Sequence, residues 1–185
     1  MRLVVLLVVT SVLLGMVSTG PNLALADTKS YPVKSSAAKT VLKLSSTAFA
    51  DNGKIPKKYT CDGSGISPPL KIANVPKNTK SLALAMDDPD APAGTFTHWV
   101  VWGISQKKVQ IGEGEKKGFV EGANSLGKLG YFAPCPPSGV HRYVFKIFAL
   151  DSRVDISAKS TKQELEKAMQ NHIIQTATLV GKYSR

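Results

Sequence analysis

The segment from Arg142 to Leu150 limits the possible folds of this chain more than any other. It predicts a β-strand, because its aromatic and β-branched residues suit a pleated, buried backbone. One face carries Tyr143, Phe145, Ile147 and Ala149, and the other carries Val144, Lys146, Phe148 and Leu150. Since apolar side chains occur on both faces, we expect this strand to be covered on both sides and to lie centrally in the fold.

Other segments predict strands around this one. They are residues 41–44, 81–87, 96–104 and 177–183. One helix is predicted after Thr161, because Thr161 and Glu164 have the spacing of a capping box. Leu165, Ala168, Met169 and His172 follow at helical spacing. Many strands with one late helix predict a mostly β fold, a β-sandwich with a C-terminal helix.

The first 26 residues have the order of a secretory signal peptide. A basic start precedes an apolar run from Leu3 to Val17, and the segment ends in Ala24-Leu25-Ala26 before Asp27. The apolar run, about 15 residues long, is shorter than the roughly 20 residues that a membrane-spanning helix needs. We therefore expect cleavage before Asp27.

Three regions follow from this interpretation. They are a signal peptide over residues 1–26, a flexible leader over residues 27–40 and one folded domain over residues 41–185. The leader is predicted to be flexible because it is polar and contains several lysines. The mature protein is then exported, to the periplasm or the extracellular space. An uncleaved N-terminal anchor is the alternative.

The chain is strongly basic, and its basic residues are dispersed along the sequence. The chain has 24 lysine and arginine residues against 13 aspartate and glutamate residues, a net charge of +11. Most of the basic residues are lysines scattered along the sequence, without a basic motif. Such a charge attracts anionic surfaces through fields that salt screens. Peripheral contact with a membrane surface is therefore an open alternative, and we expect no specific binding of nucleic acid.

The chain contains two cysteines, Cys61 and Cys135. Cysteines of exported proteins meet an oxidising environment, which favours their pairing. A bridge would close a long loop and stabilise the fold by about 3 to 4 kcal/mol in the chain-entropy model. Spacing alone does not show that the two sulfurs meet. Neither cysteine has the nearby second cysteine that is typical of a zinc site.

The candidate functional residues lie in or beside two predicted loops. Asp88 and Asp90 flank a proline after one predicted strand, and His98 lies on the next. His141 directly follows the Cys-Pro-Pro-Ser-Gly-Val segment of residues 135–140. Histidine can donate to an anion, ligate a metal or move a proton, and a carboxylate can fix its tautomer. Spacing alone equally allows turn-capping aspartates and histidines buried in the core.

Two segments have a distinctive order of residues. The first reads Asp-Asp-Pro-Asp-Ala-Pro over residues 87–92, followed by Thr97-His98-Trp99. The second reads Pro-Cys-Pro-Pro-Ser-Gly-Val-His-Arg-Tyr over residues 134–143. Both resemble the signature regions of the phosphatidylethanolamine-binding protein family, also called Raf kinase inhibitor-like proteins. Cys61-Asp62-Gly63, Ser67-Pro68-Pro69-Leu70, Gly122-Ala123-Asn124-Ser125 and the C-terminal Gly-Lys-Tyr-Ser-Arg resemble the prokaryotic branch. The resemblance extends from about residue 41 to the end.

The resemblance implies a Greek-key antiparallel β-sandwich with a small surface pocket for anions, such as the phosphate of a phospholipid headgroup. Carried over to this sequence, the pocket residues are Asp88, Asp90, His98, Pro136, Pro137, His141 and Tyr143. Imidazoles and a tyrosine hydroxyl can donate to phosphate oxygens. Two carboxylates would repel a bare anion, so we expect at least one to face a histidine. The sequence departs from the family at Phe132-Ala133, where two glycines are common.

Three functions are then compared. The favoured one is an exported binding protein for a small phosphorylated or carboxylated ligand, with no catalytic residue, cofactor or metal. The second is an inhibitor of a protein partner, a protease or a kinase. The third is a hydrolase with Asp88, Asp90, His98 and His141 around a metal or an activated water, which no Gly-x-Ser-x-Gly motif supports.

Overall fold

The computed structural model describes residues 40–185. The predicted signal peptide over residues 1–26, and the predicted leader up to residue 39, lie outside the described residues. Within residues 40–185, no helix is long and apolar enough to cross a membrane.

The described residues are mostly β-structure with one α-helix. In chain order the elements are β1 (Lys43–Ser46), β2 (Gly53–Lys54), a 3-10 turn (Lys57–Tyr59), β3 (Leu70–Ala73), β4 (Ser81–Asp88), β5 (Phe96–Ile104), β6 (Gln110–Ile111), β7 (Val120–Glu121), β8 (His141–Leu150), α1 (Lys162–Met169) and β9 (Ile173–Tyr183). The long strands β4, β5 and β8 agree closely with the predicted ones. The last strand begins four residues earlier than predicted, at Ile173.

The strands form two sheets. A six-stranded sheet has the order β2-β9-β8-β4-β5-β7, and a three-stranded sheet has the order β1-β3-β6. Neighbouring strands are antiparallel except for the short parallel pair β2 and β9. One apolar cluster contains residues of both sheets, which therefore pack face to face. The prediction of a mostly β, sandwich-like fold is confirmed.

Both faces of the large sheet are covered, which explains the apolar pattern of β8. Tyr143, Phe145 and Ile147 point into the cluster between the sheets. Phe148 and Leu150 belong to a second cluster on the opposite face. Leu165 and Met169 of α1 cover that cluster, with Ala83, Ala85, Val100 and Trp102 of β4 and β5 below them. The predicted central position of this strand is confirmed.

The helix begins as the capping box predicts. The side chain of Thr161 accepts a hydrogen bond from the Glu164 backbone, and the Glu164 side chain accepts one from Thr161. The helix ends at Met169, before His172. Asn171 has a positive φ of 66°, and this left-handed residue turns the chain towards β9. His172 is therefore exposed, with Nδ1 2.8 Å from Asp151 Oδ1, and does not extend the apolar face of the helix.

One edge of the large sheet brings the candidate residues together. Because β4 is antiparallel to both of its neighbours, its last residues pair with the first residues of β5 and β8. Asp87 pairs with both Thr97 and Val144. Asp88, His98 and His141, which are separated along the chain, therefore lie at the same sheet edge.

Candidate functional site

A cavity of about 170 Å³ opens where β4 ends and β5 and β8 begin. Its walls are formed by Asp88, Ala91, Pro92, Phe96, His98, Phe132, Cys135, Pro136, Pro137, His141 and Tyr143. All the residues predicted for the pocket are in this set except Asp90. The structure therefore brings together side chains from β4, β5, β8 and the loop before β8.

His141 is fixed by Asp88. The Nδ1–H of His141 donates to Oδ2 of Asp88 over 2.7 Å, and both side chains are buried. Oδ1 of Asp88 accepts the backbone N–H of Asp90 over 2.9 Å. The expected pairing of a carboxylate with a histidine is thus present. With Nδ1 engaged, Nε2 of His141 is the ring nitrogen that can meet a ligand.

His98 is fixed by the backbone of Phe132. Its Nδ1 lies 2.8 Å from the Phe132 carbonyl oxygen, to which it donates. The Phe132 N–H in turn donates to the His98 carbonyl over 2.9 Å. Burial lowers the pKa of His98 below its ordinary value, although the hydrogen bond to Phe132 and the charge of Asp88 oppose this shift. The free protein therefore holds His98 neutral at neutral pH, with Nε2 as a lone-pair acceptor.

Tyr143 is fully buried beside His98. The two rings meet edge to face, with centroids 5.2 Å apart. Among the described residues, the Tyr143 hydroxyl makes no hydrogen bond of ordinary geometry, and only the Cys135 backbone N–H, a donor, is directed to its oxygen. Burial, and then the negative charge of Asp88, raise the pKa of Tyr143. The hydroxyl therefore keeps its proton and remains a donor.

Asp90 is the one predicted pocket residue that is not part of the cavity wall. Its Oδ2 accepts the backbone N–H and the Nε–H of Arg142, both over 2.9 Å, and its Oδ1 accepts Nη2–H over 2.6 Å. These hydrogen bonds hold the pKa of Asp90 well below its usual range. The reason is positional: β4 ends at Asp88, and the turn that follows points Asp90 towards Arg142.

Sequence reasoning missed the aromatic part of the cavity wall. The ring of Phe96 lies 5.6 Å from that of Phe132 and 4.8 Å from that of His98, centroid to centroid. Phe132 carried a signal, because it stands where the resembled family commonly has glycine. Phe96 carried none, since an aromatic residue at the start of a strand is equally typical of ordinary packing.

Cys61 and Cys135 are joined by a disulfide, with their Cα atoms 5.4 Å apart. The bond connects the turn after the 3-10 segment to the loop that carries Pro136 and Pro137. The Cys61 N–H also donates to the Pro134 carbonyl over 3.0 Å. Cys135 lines the cavity, so the bond forms part of its wall.

Three of the four residues of the hydrolase alternative, Asp88, His98 and His141, line the cavity. No three or more histidine, cysteine, aspartate or glutamate side chains in the described part of the chain are grouped so as to hold a metal ion. Of the four residues considered for it, Asp90 is directed to Arg142.

The chain is similar to known proteins over most of its length. The family model described as phosphatidylethanolamine-binding protein matches residues 45–184. The UPF0098 protein PH1269 of Pyrococcus horikoshii is 48% identical over 157 residues, which cover 80% of this chain and 78% of that protein. A UPF0098 protein of Methanothermobacter thermautotrophicus is 45% identical over 150 residues, covering 78% of this chain and 99% of that one.

Solved structures agree with this result. A phosphatidylethanolamine-binding protein homologue from Chlamydia trachomatis matches with a TM-score of 0.78 and 42% identity, covering 79% of this chain and 99% of that chain. YbcL of Escherichia coli, described as a member of the mammalian family, matches with a TM-score of 0.72 and 27% identity, covering 78% and 98%. The matched span contains every segment that lines the cavity, and the chain belongs to the phosphatidylethanolamine-binding protein family.

Proposed function

We propose that this protein binds a small organic anion, a phosphate monoester or a carboxylate, in the cavity beside Tyr143. The observation that carries the proposal is the buried Tyr143 hydroxyl, whose proton has no acceptor among the described residues, since the nearby Cys135 backbone N–H can only donate to its oxygen. A buried hydroxyl without a hydrogen bond costs about 1 to 3 kcal/mol. Such groups are rare in native proteins, and a ligand oxygen as acceptor would account for this one.

Two imidazoles also support the proposed binding of an anion. His98 and His141 both line the cavity, and each has Nδ1 engaged by a fixed partner. An anion that enters favours protonation of a neighbouring imidazole, which then donates from Nε2. Hydrogen bonds between an imidazolium and an anionic oxygen are among the stronger ones in proteins.

The charge of the site is compatible with an anion because its carboxylates are already paired. Asp88 accepts from His141, and Asp90 accepts from Arg142. Arg142 compensates the charge of Asp90, whereas His141 compensates that of Asp88 only when its ring is protonated. The expected repulsion of an anion by two free carboxylates is therefore reduced.

The remaining walls are apolar and favour a ligand with an organic part. Phe96 and Phe132 form one side of the cavity, and Pro92 and Pro137 also line it. A few polar groups set among apolar walls are typical of small-molecule sites. The family description names phosphatidylethanolamine, so phosphoethanolamine is the natural first probe.

The proposed site of action is outside the cytoplasm. The support is the signal-like order of residues 1–26 and the small residues at Ala24 and Ala26. A net charge of +11 would also favour weak contact with anionic surfaces. Intact mass of the exported protein tests the processing, and a mass that retains residues 1–26 would overturn it.

Calorimetry tests the binding function. The purified protein is titrated with phosphoethanolamine, inorganic phosphate and acetate at two salt concentrations. We expect saturable one-site binding, with phosphoethanolamine bound most tightly because it also contacts the apolar walls. Binding that does not saturate, or that moderate salt abolishes for every probe, would leave only nonspecific attraction to the lysines and would overturn the proposal.

A further inference from the structure

The wall of the cavity contains a disulfide that solvent can reach. Cys135 lines the cavity and is bonded to Cys61, and both residues are exposed. Exposed disulfides are typically the labile ones, whereas structural disulfides in secreted proteins resist reduction. We propose that Cys61–Cys135 is a thiol–disulfide exchange site whose redox state sets the ligand affinity of the cavity. The affinity part rests on the proposed anion-binding function.

The disulfide is one of the few links that join the loop carrying Cys135 to the rest of the fold. Pro134, Pro136 and Pro137 have no backbone N–H, so they cannot donate to a neighbouring strand. One backbone hydrogen bond, from Cys61 N–H to the Pro134 carbonyl, joins the loop to the segment that carries Cys61. Pro136 and Pro137 line the cavity. Opening the disulfide therefore releases a wall of the cavity while the sheets keep their packing.

A nearby cation makes Cys135 the better leaving group. Arg185 Nη1 lies 4.0 Å from Cys135 Sγ, and Arg185 Nε lies 3.4 Å from Asp62 Oδ1, which helps to hold the guanidinium there. A positive charge beside a sulfur stabilises its thiolate. Exchange is faster when the departing sulfur is the more stable thiolate. We therefore expect an external thiol to attack the Sγ atom of Cys61, with Cys135 as the departing thiolate.

The exchange is a two-electron reduction by a dithiol. A thiolate of the dithiol attacks Cys61 Sγ, a mixed disulfide forms at Cys61, and the Cys61–Cys135 bond breaks with its electron pair on Cys135 Sγ. The second thiolate of the dithiol then attacks the mixed disulfide and releases Cys61 as a thiolate. The dithiol is oxidised to its own disulfide, and the protein gains two thiols.

Two measurements on the purified protein test this. Dithiothreitol is added under native conditions, and free thiols are counted after alkylation while near-UV circular dichroism reports the fold. Inorganic phosphate is titrated into the oxidised, reduced and reoxidised protein. We expect reduction without unfolding, a loss of phosphate affinity of about tenfold or more, in the usual range of coupling between sites, and recovery on reoxidation.

Variants and trapping test the chemistry without the ligand. Arg185→Gln should slow the reduction several-fold and leave the phosphate affinity of the oxidised protein unchanged. Arg153→Gln, which removes an exposed arginine from another loop, is the matched control and should have no effect on either. With glutathione as a single thiol, peptide mass spectrometry should find the mixed disulfide at Cys61, and adducts found mainly at Cys135 would contradict the assigned order.

The outcomes separate this inference from the proposed function. Equal phosphate affinity in the oxidised and reduced protein would overturn the coupling and leave the binding function standing. An oxidised protein that does not bind phosphate or phosphoethanolamine would overturn the binding function and the coupling with it, whereas the exchange chemistry would still be judged by the Arg185 variant. A disulfide that resists dithiothreitol until the whole protein unfolds would overturn the exchange site itself.

Discussion

Nδ1 of His141 lies 2.7 Å from Oδ2 of Asp88, and this buried contact joins the first residue of β8 to the last residue of β4. The pairing fixes the orientation of an imidazole at the cavity and uses the charge of a carboxylate that would otherwise face an incoming anion. In the proposed function, this hydrogen bond reduces the repulsion between Asp88 and an incoming anion.

Removing either cavity imidazole should weaken anion binding. His98→Ala and His141→Ala are each expected to cost about 1.5 to 3 kcal/mol of binding free energy, the value of a hydrogen bond to a charged group. Calorimetry with phosphoethanolamine measures this loss. His172→Ala removes an exposed imidazole outside the cavity and should change nothing. Unchanged affinity in both cavity variants, with the fold intact, would contradict the assignment.

The affinity should depend on pH in a defined direction. Burial lowers the pKa of His98, so the ligand-free protein holds this ring neutral at pH 7. A bound anion stabilises the protonated ring and raises its pKa. Affinity should therefore rise as pH falls through the bound-state pKa, and level off below the lowered pKa of the free protein.

Sulfate is the suitable probe for this dependence, because its charge does not change between pH 5 and pH 8. We expect sulfate affinity to increase on acidification in the unmodified protein. His98→Gln should flatten the part of the profile that belongs to this ring. An affinity that stays constant over the range, or that falls on acidification, would show that no imidazole needs to be protonated.

Close packing under the cavity makes Gly181 sensitive to substitution. Gly181 of β9 pairs with Tyr143, and a Cβ there would lie 2.5 Å from Ile55 Cγ1 and 2.9 Å from Phe49 Cε2. Gly181→Ala should lower the free energy of unfolding by about 1 to 3 kcal/mol, as overpacking does. Denaturant titration measures it. Thr178→Ala, at an exposed position of the same strand, should change stability by less than about 1 kcal/mol, and equal losses would refute the packing argument.

The sequence predicted the long strands well because their patterns are strong. The segment that became β8 has apolar side chains on both faces, and the structure buries both. The helix start was predicted by Thr161 and Glu164, whose hydrogen bonds are local. The two-residue strands β2, β6 and β7 were not predicted, because they are defined by partners far along the chain.

In the candidate site, too, the sequence predicted some features and missed those that depend on distant contacts. The resemblance predicted His98, His141 and Tyr143 for the pocket, and the structure places all three on one cavity, whereas their role in binding stays a prediction. It did not distinguish Asp88 from Asp90, because two residues of the same type around Pro89 differ only in where the turn directs them. The partner of Asp90 is Arg142, about fifty positions away. Contacts of that kind depend on the sheet register, which the pattern of a single segment does not contain.

The most direct test of the account is Tyr143→Phe, measured both for binding and for stability. It removes a buried hydroxyl whose proton has no acceptor in the described structure. Stability should stay equal or rise, while phosphoethanolamine affinity should fall by about 1.5 to 3 kcal/mol, because the ligand loses a donor to its charged oxygen.

Tyr131→Phe is the matched control, because the Tyr131 hydroxyl donates to the Tyr59 carbonyl over 2.8 Å and does not line the cavity. It should lower stability by about 0.5 to 1.5 kcal/mol and leave affinity unchanged. Calorimetric titration of both variants with phosphoethanolamine, alongside thermal unfolding, is the decisive measurement: a loss of affinity confined to Tyr143→Phe supports the account, and an unchanged affinity in that variant contradicts it.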